Sequence, residues 1–207
     1  MKLELAGRRA LVTGGSRGIG RAIACALALE GVDVVIAARG IGGLESTAAD
    51  LIAQSGRLVV PLAADTTVRS QVDSLIANAV KALDGLDILV NATGFDGGRA
   101  RDAAEGDTGY LHTSRAAAPH LAASRRGRII NVGGLLATLR NAGVEALTRR
   151  LADEWGPKGV GVVAVQPGAR RADSAQAIEI ADLVVFLASP RSVAVHGAAI
   201  PAAGLRH

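Results

Sequence analysis

A cluster of glycines within the first twenty residues is the feature best suited to bind a ligand. The run from Thr13 to Gly20 reads TGGSRGIG and lies between a short apolar segment and a helical pattern. Glycine lets the backbone turn sharply and lets a phosphate approach closely, and a helix N-terminus offers free N–H groups with partial positive charge. The arrangement therefore predicts a phosphate site for a dinucleotide. The alternative is a tight structural turn that holds no ligand.

The elements that must position this turn follow an alternating pattern. Short apolar, β-branched segments alternate with longer segments of helical period. The pattern predicts one three-layer α/β/α domain over residues 1–207, with a doubly wound parallel sheet of the Rossmann type. Ligands of such sheets bind beyond the carboxyl ends of the strands. Strands are predicted at 10–12, 32–37, 58–62, 87–90, 128–132, 160–165 and near 198–200, and helices at 18–30, 43–54, 68–83, 107–123, 142–155 and 175–188.

Composition excludes several classes of protein. Cys25 is the single cysteine and the four histidines show no metal-ligand spacing, so we expect no disulfide framework and no metal site. The net charge of +4 comes from arginines spread along the chain, and aromatics make up only 2%, so nucleic-acid binding is not expected. No apolar run approaches the ~20 residues that span a membrane. We therefore expect a soluble, cytoplasmic protein.

Several motifs resemble those of the short-chain dehydrogenase/reductase (SDR) family over nearly the whole chain. The glycine turn is similar to the family's T-G-x-x-x-G-x-G, and residues 86–94, LDILVNATG, are similar to the strand-four motif that ends in N-N-A-G. Asp65 follows the third strand, where the family holds adenine, and Pro167-Gly168 resembles its turn near the nicotinamide. The resemblance implies a cofactor site made of Gly14, Ser16, Arg17, Gly18, Ile19, Gly20, Arg39, Asp65, Thr66, Asn91, Ala92, Gly94, Pro167 and Gly168.

Charge after the second strand predicts which dinucleotide binds. NAD sites place a carboxylate there for the ribose 2′-hydroxyl, whereas a basic residue accommodates a 2′-phosphate. Here the strand ends in Ala37-Ala38-Arg39 without an acidic residue, and Arg17 offers a second guanidinium. The predicted cofactor is therefore NADP(H).

The catalytic Asn, Ser, Tyr and Lys that the resemblance implies are all absent. Their positions fall on Gly106, Gly134, Ala137 and Asn141, and no nearby Tyr-x-x-x-Lys pattern replaces them. The loop between the Ser and Tyr positions and the substrate lid after the sixth strand are both shorter than in the family. A positioned general acid contributes about 10²–10⁴ in rate, so an efficient reductase is not expected.

Tyr110 is the one candidate for a replacement catalytic group. It is the only tyrosine and lies one helical turn after Gly106, on the same face of the predicted helix. Its phenol could donate a proton in the vacated site. The alternative is an aromatic ring that fills a contact between two helices.

Three functions stay open. The first is a degenerate, non-catalytic or helper subunit of a heteromeric NADP(H)-dependent oxidoreductase that acts on 3-oxoacyl or 3-hydroxyacyl thioesters. It would pair with an active SDR subunit or with itself through helices 107–123 and 142–155, similar to the non-catalytic subunit of the carrier-bound β-hydroxytyrosyl oxidases of aminocoumarin antibiotic pathways. The second is an enzyme with a rebuilt site, such as a cyclase, dehydratase, isomerase or slow reductase. The third is a regulatory module that senses a dinucleotide.

Overall fold

Seven parallel strands form one sheet in the order β3-β2-β1-β4-β5-β6-β7, with six α-helices in the part of the chain that is described. The computed structural model describes residues 2–93, 103–133, 138–168 and 174–202. The strands are β1 (Arg9–Thr13), β2 (Asp33–Ala38), β3 (Val59–Ala63), β4 (Ile88–Asn91), β5 (Arg128–Val132), β6 (Gly161–Pro167) and β7 (Ala199–Ala202). The helices are α1 (Gly18–Leu29), α2 (Ile41–Ser55), α3 (Arg69–Leu83), α4 (Ala103–Ala123), α5 (Thr138–Trp155) and α6 (Ser174–Ala188).

Both faces of the sheet are buried, which explains the continuous apolar strands. Successive side chains of a strand point to opposite faces, so Ala10 and Val12 pack on one side and Leu11 on the other. The first core lies under α1, α2 and α6, and the second lies under α3, α4 and α5. The predicted α/β/α architecture and parallel Rossmann sheet are therefore confirmed.

Strand order reverses between β1 and β4, which lie side by side at the centre of the sheet. The chain winds outward from β1 through β2 to β3, and then crosses back to continue through β4 to β7. Such a reversal opens a crevice at the carboxyl ends of the central strands. The glycine turn lies at this reversal, directly after β1.

Two helices begin a full turn earlier than their apolar pattern predicts. α4 starts at Ala103 rather than at 107, and α5 starts at Thr138 rather than at 142. The added first turns read AAEG and TLRN and contain few large apolar residues, so hydrophobic periodicity gives no signal for them. None of the helices in the described ranges is long and apolar enough to cross a membrane.

An ion pair joins β1 to the segment that enters β4, at the amino-terminal edge of the sheet. The Arg9 guanidinium donates to both carboxylate oxygens of Asp87 at 2.9 Å, and the backbone N–H of Arg9 donates to the same carboxylate at 3.0 Å. Burial by itself would raise the pKa of Asp87, but the hydrogen bonds and charge of Arg9 outweigh it and hold that pKa below its ordinary value.

Candidate functional site

A cleft of about 470 Å³ opens at the carboxyl ends of the central strands. It lies at the point of strand reversal, where the fold predicts a ligand. Of the predicted cofactor residues, it is lined by Gly14, Ser16, Arg17, Gly20, Arg39, Asp65, Thr66 and Ala92.

Two glycines of the turn sit where no other residue fits. Gly14 has a φ of +72°, and a Cβ there would lie 2.5 Å from the carbonyl oxygen of Ala92. The backbone N–H of Gly14 donates to the carbonyl of Ala37 at 2.7 Å, which ties the turn to β2. A Cβ on Gly20 would lie 2.7 Å from the carbonyl carbon of Gly14 and closer still to its oxygen. The first turn of α1 therefore packs directly against the backbone that leaves β1.

The hydrogen-bond donors at the start of α1 have no side-chain cap from Arg17. Its N-cap residue, Arg17, is extended and makes no side-chain capping bond to the helix. The first N–H groups of a helix have no intrahelical acceptor. At Gly18, an added Cβ would meet nothing within 4 Å, so the approach to these donors is open. Thr47 of α2 donates to the carbonyl of Ser16 at 3.0 Å and fixes the loop from the other side.

The loop after β3 is held in shape by Asp65. Its carboxylate accepts the backbone N–H of Thr67 at 3.0 Å and the Thr67 hydroxyl at 2.8 Å. The backbone N–H of Asp65 donates to the Gln71 side chain at 2.8 Å. Because the carboxylate organises its own loop, Asp65 shapes the wall of the cleft. Thr66 is buried and abuts α4 at Gly109, where a Cβ would lie 2.9 Å from the Thr66 hydroxyl.

The rim of the cleft near β2 carries positive charge. Arg17 and Arg39 are both exposed and both line the cleft. Ala37 and Ala38 end β2, and Arg39 and Gly40 follow. The carboxylate that NAD sites place after the second strand is therefore absent at this point of the chain. A guanidinium at this point suits a phosphate, with which it forms charge-assisted hydrogen bonds.

Other predicted residues lie outside this cleft or are fully buried. Ile19 is 1% exposed and belongs to the core under α1. Pro167 ends β6, and the N–H of Gly168 donates to Ala202 at 3.1 Å, so this turn is fixed to β7 away from the cleft lining. Gly94 lies outside the described residues.

Asn91 belongs to a buried polar network rather than to the cleft wall. Its amide nitrogen donates to Ser114 at 3.1 Å and to the side-chain oxygen of Asn131 at 2.9 Å, and its oxygen accepts from Thr113 at 2.7 Å. Asn131 in turn donates to Thr148 at 3.0 Å. All five side chains are 0% exposed. The network therefore locks the ends of β4 and β5 to α4 and α5.

Tyr110 also joins the ends of β4 and β5. Its phenol oxygen lies 2.8 Å from the carbonyl oxygen of Thr93 and 2.7 Å from that of Val132. A phenol has one proton, so it donates to one of these carbonyls at a time. The residue is 4% exposed, and its ring packs against Val144 and Leu147 of α5. The ring therefore fills a contact between α4 and α5, which is the alternative to a catalytic role.

The four positions predicted to correspond to the family's catalytic residues are only partly described. Gly106 lies on α4 and Asn141 lies on α5. Gly134 and Ala137 lie outside the described residues. Across the described ranges, no group of three His, Cys, Asp or Glu side chains could hold a metal ion.

Sequence reasoning missed part of the cleft wall. Most of the missed residues lie next to predicted ones at the ends of strands, so their position in the sequence could have identified them. Gly43 is different, because only the packing of α2 against the turn brings it to the cleft. The missed residues are Ala37, Ala38, Gly40, Gly43, Ala64 and Thr93.

Comparison with known proteins gives a consistent result. The family model described as short chain dehydrogenase matches residues 8–182. The 3-oxoacyl-[acyl-carrier-protein] reductase FabG of Vibrio cholerae is 30% identical over 236 aligned residues, which cover 94% of this chain and 95% of that protein.

Solved structures agree with this match. The crystal structure of a putative short-chain alcohol dehydrogenase from Sinorhizobium meliloti is 32% identical, with a TM-score of 0.87 over 99% of this chain and 98% of that one. A short chain dehydrogenase from Burkholderia cenocepacia, crystallised in complex with NADP, is 32% identical, with a TM-score of 0.79 over 95% of this chain and 96% of that one.

Proposed function

Because the chain belongs to the short-chain dehydrogenase family, we propose that it holds NADP(H) in its cleft and works as a non-catalytic or helper subunit. The enzyme that it completes is a heteromeric NADP(H)-dependent oxidoreductase for 3-oxoacyl or 3-hydroxyacyl thioesters. One contrast carries the proposal: the glycine turn and its rim arginines are kept, whereas the four catalytic positions read Gly106, Gly134, Ala137 and Asn141.

The cleft fits a dinucleotide phosphate. The first N–H groups of α1 are uncapped, and Gly18 leaves their approach open. These donors would hold the pyrophosphate, and Arg39 with Arg17 would hold the 2′-phosphate. A bound NADPH would supply a hydride. The similar Burkholderia structure contains NADP, which supports this choice.

The residues at the four positions cannot replace the proton donor. Gly, Ala and Asn side chains cannot act as a general acid near neutral pH. Tyr110 is buried and its phenol lies within hydrogen-bond distance of two main-chain carbonyls, so it has a structural partner already. This geometry supports the helper role over a rebuilt catalytic site.

The substrate class comes from the similarity to the reductase of Vibrio cholerae, whose name specifies a 3-oxoacyl group on an acyl carrier protein. The alignment with it is longer than this chain and needs gaps in the chain, which supports shortened loops around the substrate. A chain without those walls would depend on an active partner to enclose the thioester. A role like that of the non-catalytic subunit in the aminocoumarin oxidases is one form of this proposal.

Docking would use the outer faces of α4 and α5. These two helices pack side by side, and an ion pair between Arg115 and Glu154 at 3.8 Å links them. Both faces together offer a broad surface to a second subunit, which can be another copy or an active relative.

The decisive experiment compares the chain alone with the chain plus a full-length short-chain reductase from the same source. Calorimetry measures NADPH binding, and loss of NADPH absorbance measures turnover of an acetoacetyl thioester. We expect the chain alone to bind NADPH with micromolar affinity and to show negligible turnover. In the mixture, we expect the two proteins to form a complex that size-exclusion chromatography resolves, and the partner reductase to turn over the thioester faster than it does alone. Rapid turnover by the chain alone would establish a rebuilt site. Tight binding without any effect on the partner would favour the dinucleotide sensor.

A further inference from the structure

A second cleft, of about 720 Å³, opens at the opposite, amino-terminal edge of the sheet. It lies among the loop before β5, the end of α5 and the segment after α6. Four arginines line it, whereas Asp153 is the one acidic side chain among its described lining residues. The arginines are Arg8, Arg125, Arg126 and Arg128.

The floor of this basic cleft is made of two buried arginines. Arg8 is 5% exposed and Arg128 is 6% exposed. Arg128 donates to the carbonyls of Leu187 at 3.0 Å and Ser192 at 2.5 Å, and Arg8 donates to the carbonyl of Ala188 at 3.1 Å. The last carbonyls of α6 thus orient both side chains, since a helix C-terminus attracts cations.

These main-chain contacts supply no formal negative charge to the cleft floor. The Nε of Arg8 is buried without a hydrogen-bond partner. Within the described part of the chain, none of the four arginines forms an ion pair with a carboxylate. Burial and the nearby charge of Arg126 lower the pKa of Arg8, and they outweigh the opposite effect of Asp87 and Glu4. Burial and the charge of Arg8 lower the pKa of Arg128. The guanidinium groups therefore repel one another, and an anion between them would relieve that repulsion.

Two exposed arginines stand at the mouth of the same cleft. Arg125 and Arg126 follow α4 and are both exposed. The next residue, Gly127, packs against the end of α4, where an added Cβ would lie 2.6 Å from the carbonyl oxygen of Leu121. His196 lines the opposite side, and its Nδ1 accepts the backbone N–H of Val162 at 3.2 Å, which leaves Nε2 as the ring's other polar atom.

We propose that this basic cleft binds a small phosphate-bearing molecule with two or more negative charges. A recessed floor is accessible to a small molecule but not to the surface of a folded protein. The volume of the cleft is also typical of small-molecule sites. Guanidinium groups match phosphate oxygens in geometry and charge. The site is separate from the glycine turn, because Arg8 precedes β1 whereas the turn follows it.

Calorimetric titration of the full chain with inorganic pyrophosphate tests this proposal. Arg126→Gln removes a mouth guanidinium from an exposed position, so the fold should persist. Loss of one charge-assisted contact should weaken pyrophosphate binding by about tenfold to a hundredfold. Arg150→Gln is the matched control, because Arg150 is an exposed arginine of α5 that does not line the cleft, and it should bind within about twofold of the parent chain.

Three results would overturn the proposal. The first is an absence of binding up to millimolar pyrophosphate. The second is equal weakening by Arg126→Gln and Arg150→Gln, which would mean attraction to net charge only. The third is loss of binding in Arg17→Gln with retention in Arg126→Gln, which would place the anion at the glycine turn. A parallel titration with glycerol 3-phosphate distinguishes an esterified phosphate from a free one. If the chain binds glycerol 3-phosphate more tightly than pyrophosphate, the preferred ligand of the cleft carries an esterified phosphate.

Discussion

Gly20→Ala is the most direct test of how the glycine turn and α1 fit together. An added Cβ would lie 2.7 Å from the carbonyl carbon of Gly14 and nearer to its oxygen. Both groups are backbone, so no side chain can rotate away. Either the turn or the start of the helix has to move, by roughly the 1 Å that separates such a contact from ordinary packing.

The expected loss of stability is set by two opposing effects. Forcing an extra methyl group into a packed contact costs about 1–3 kcal/mol. Alanine within a helix is favoured over glycine by about 1 kcal/mol, which offsets part of that cost. We therefore expect the free energy of unfolding to fall by about 0–2 kcal/mol. Displacement of the helix start should weaken NADPH binding by about tenfold to a hundredfold, the effect of losing one phosphate hydrogen bond.

Gly42→Ala provides the matched control. Gly42 lies in the first turn of α2, an added Cβ there meets nothing within 4 Å, and the residue does not line the cleft. This change should raise stability slightly and leave NADPH binding unchanged. Urea unfolding and NADPH calorimetry on the three proteins measure both quantities. If Gly20→Ala gained stability as Gly42→Ala does and bound NADPH like the parent chain, the reasoning about this contact would be wrong.

Three further changes have defined outcomes. Tyr110→Phe should reduce the free energy of unfolding by about 1–3 kcal/mol, because buried carbonyls lose their donor, and should leave NADPH affinity unchanged; loss of cofactor turnover without loss of stability would contradict this structural role. Arg39→Ala should weaken NADPH much more than NADH in paired titrations, and equal losses would refute a role in binding the 2′-phosphate. Because Arg9 holds the pKa of Asp87 below 3.8, this pair contributes its full stabilisation above about pH 4, and the contribution is lost as pH falls through the lowered pKa. Asp87→Asn should therefore cost about 2 kcal/mol at pH 7, and its stability should decline less than that of the parent chain in acid unfolding measurements; parallel declines would exclude the ion pair as the cause.

Most of the fold could be predicted from local sequence patterns. Short continuous apolar segments located all seven strands to within a few residues, because strands buried on both faces must be continuously apolar. Hydrophobic period located the helices but missed the first turns of α4 and α5, where few large apolar residues mark the core-facing side. The glycine turn was recognisable since its conformation depends on residues adjacent in the sequence.

Part of the candidate site was predictable because its residues lie at or just after the end of a strand. Gly14 and Arg39 directly follow a strand and Asp65 comes two residues after one, and the structure brings all three to one cleft. Asn91 also follows this rule, yet its side chain turns into a buried network with Asn131, forty residues later. No local signal separates a side chain that faces the cleft from one that faces a neighbouring strand.

Residue types at local positions were enough to predict the fold class and to locate the glycine turn. The same local reading carries the hypotheses that this turn binds a phosphate and that four catalytic side chains are replaced. Tertiary structure decided the partners of Tyr110 and the existence of the basic cleft. Arg8 and Arg128 are 120 positions apart in the chain, and they meet only because β1 and β5 begin at the same edge of the sheet. Contacts of this range follow from strand order, which the pattern of any one segment does not encode.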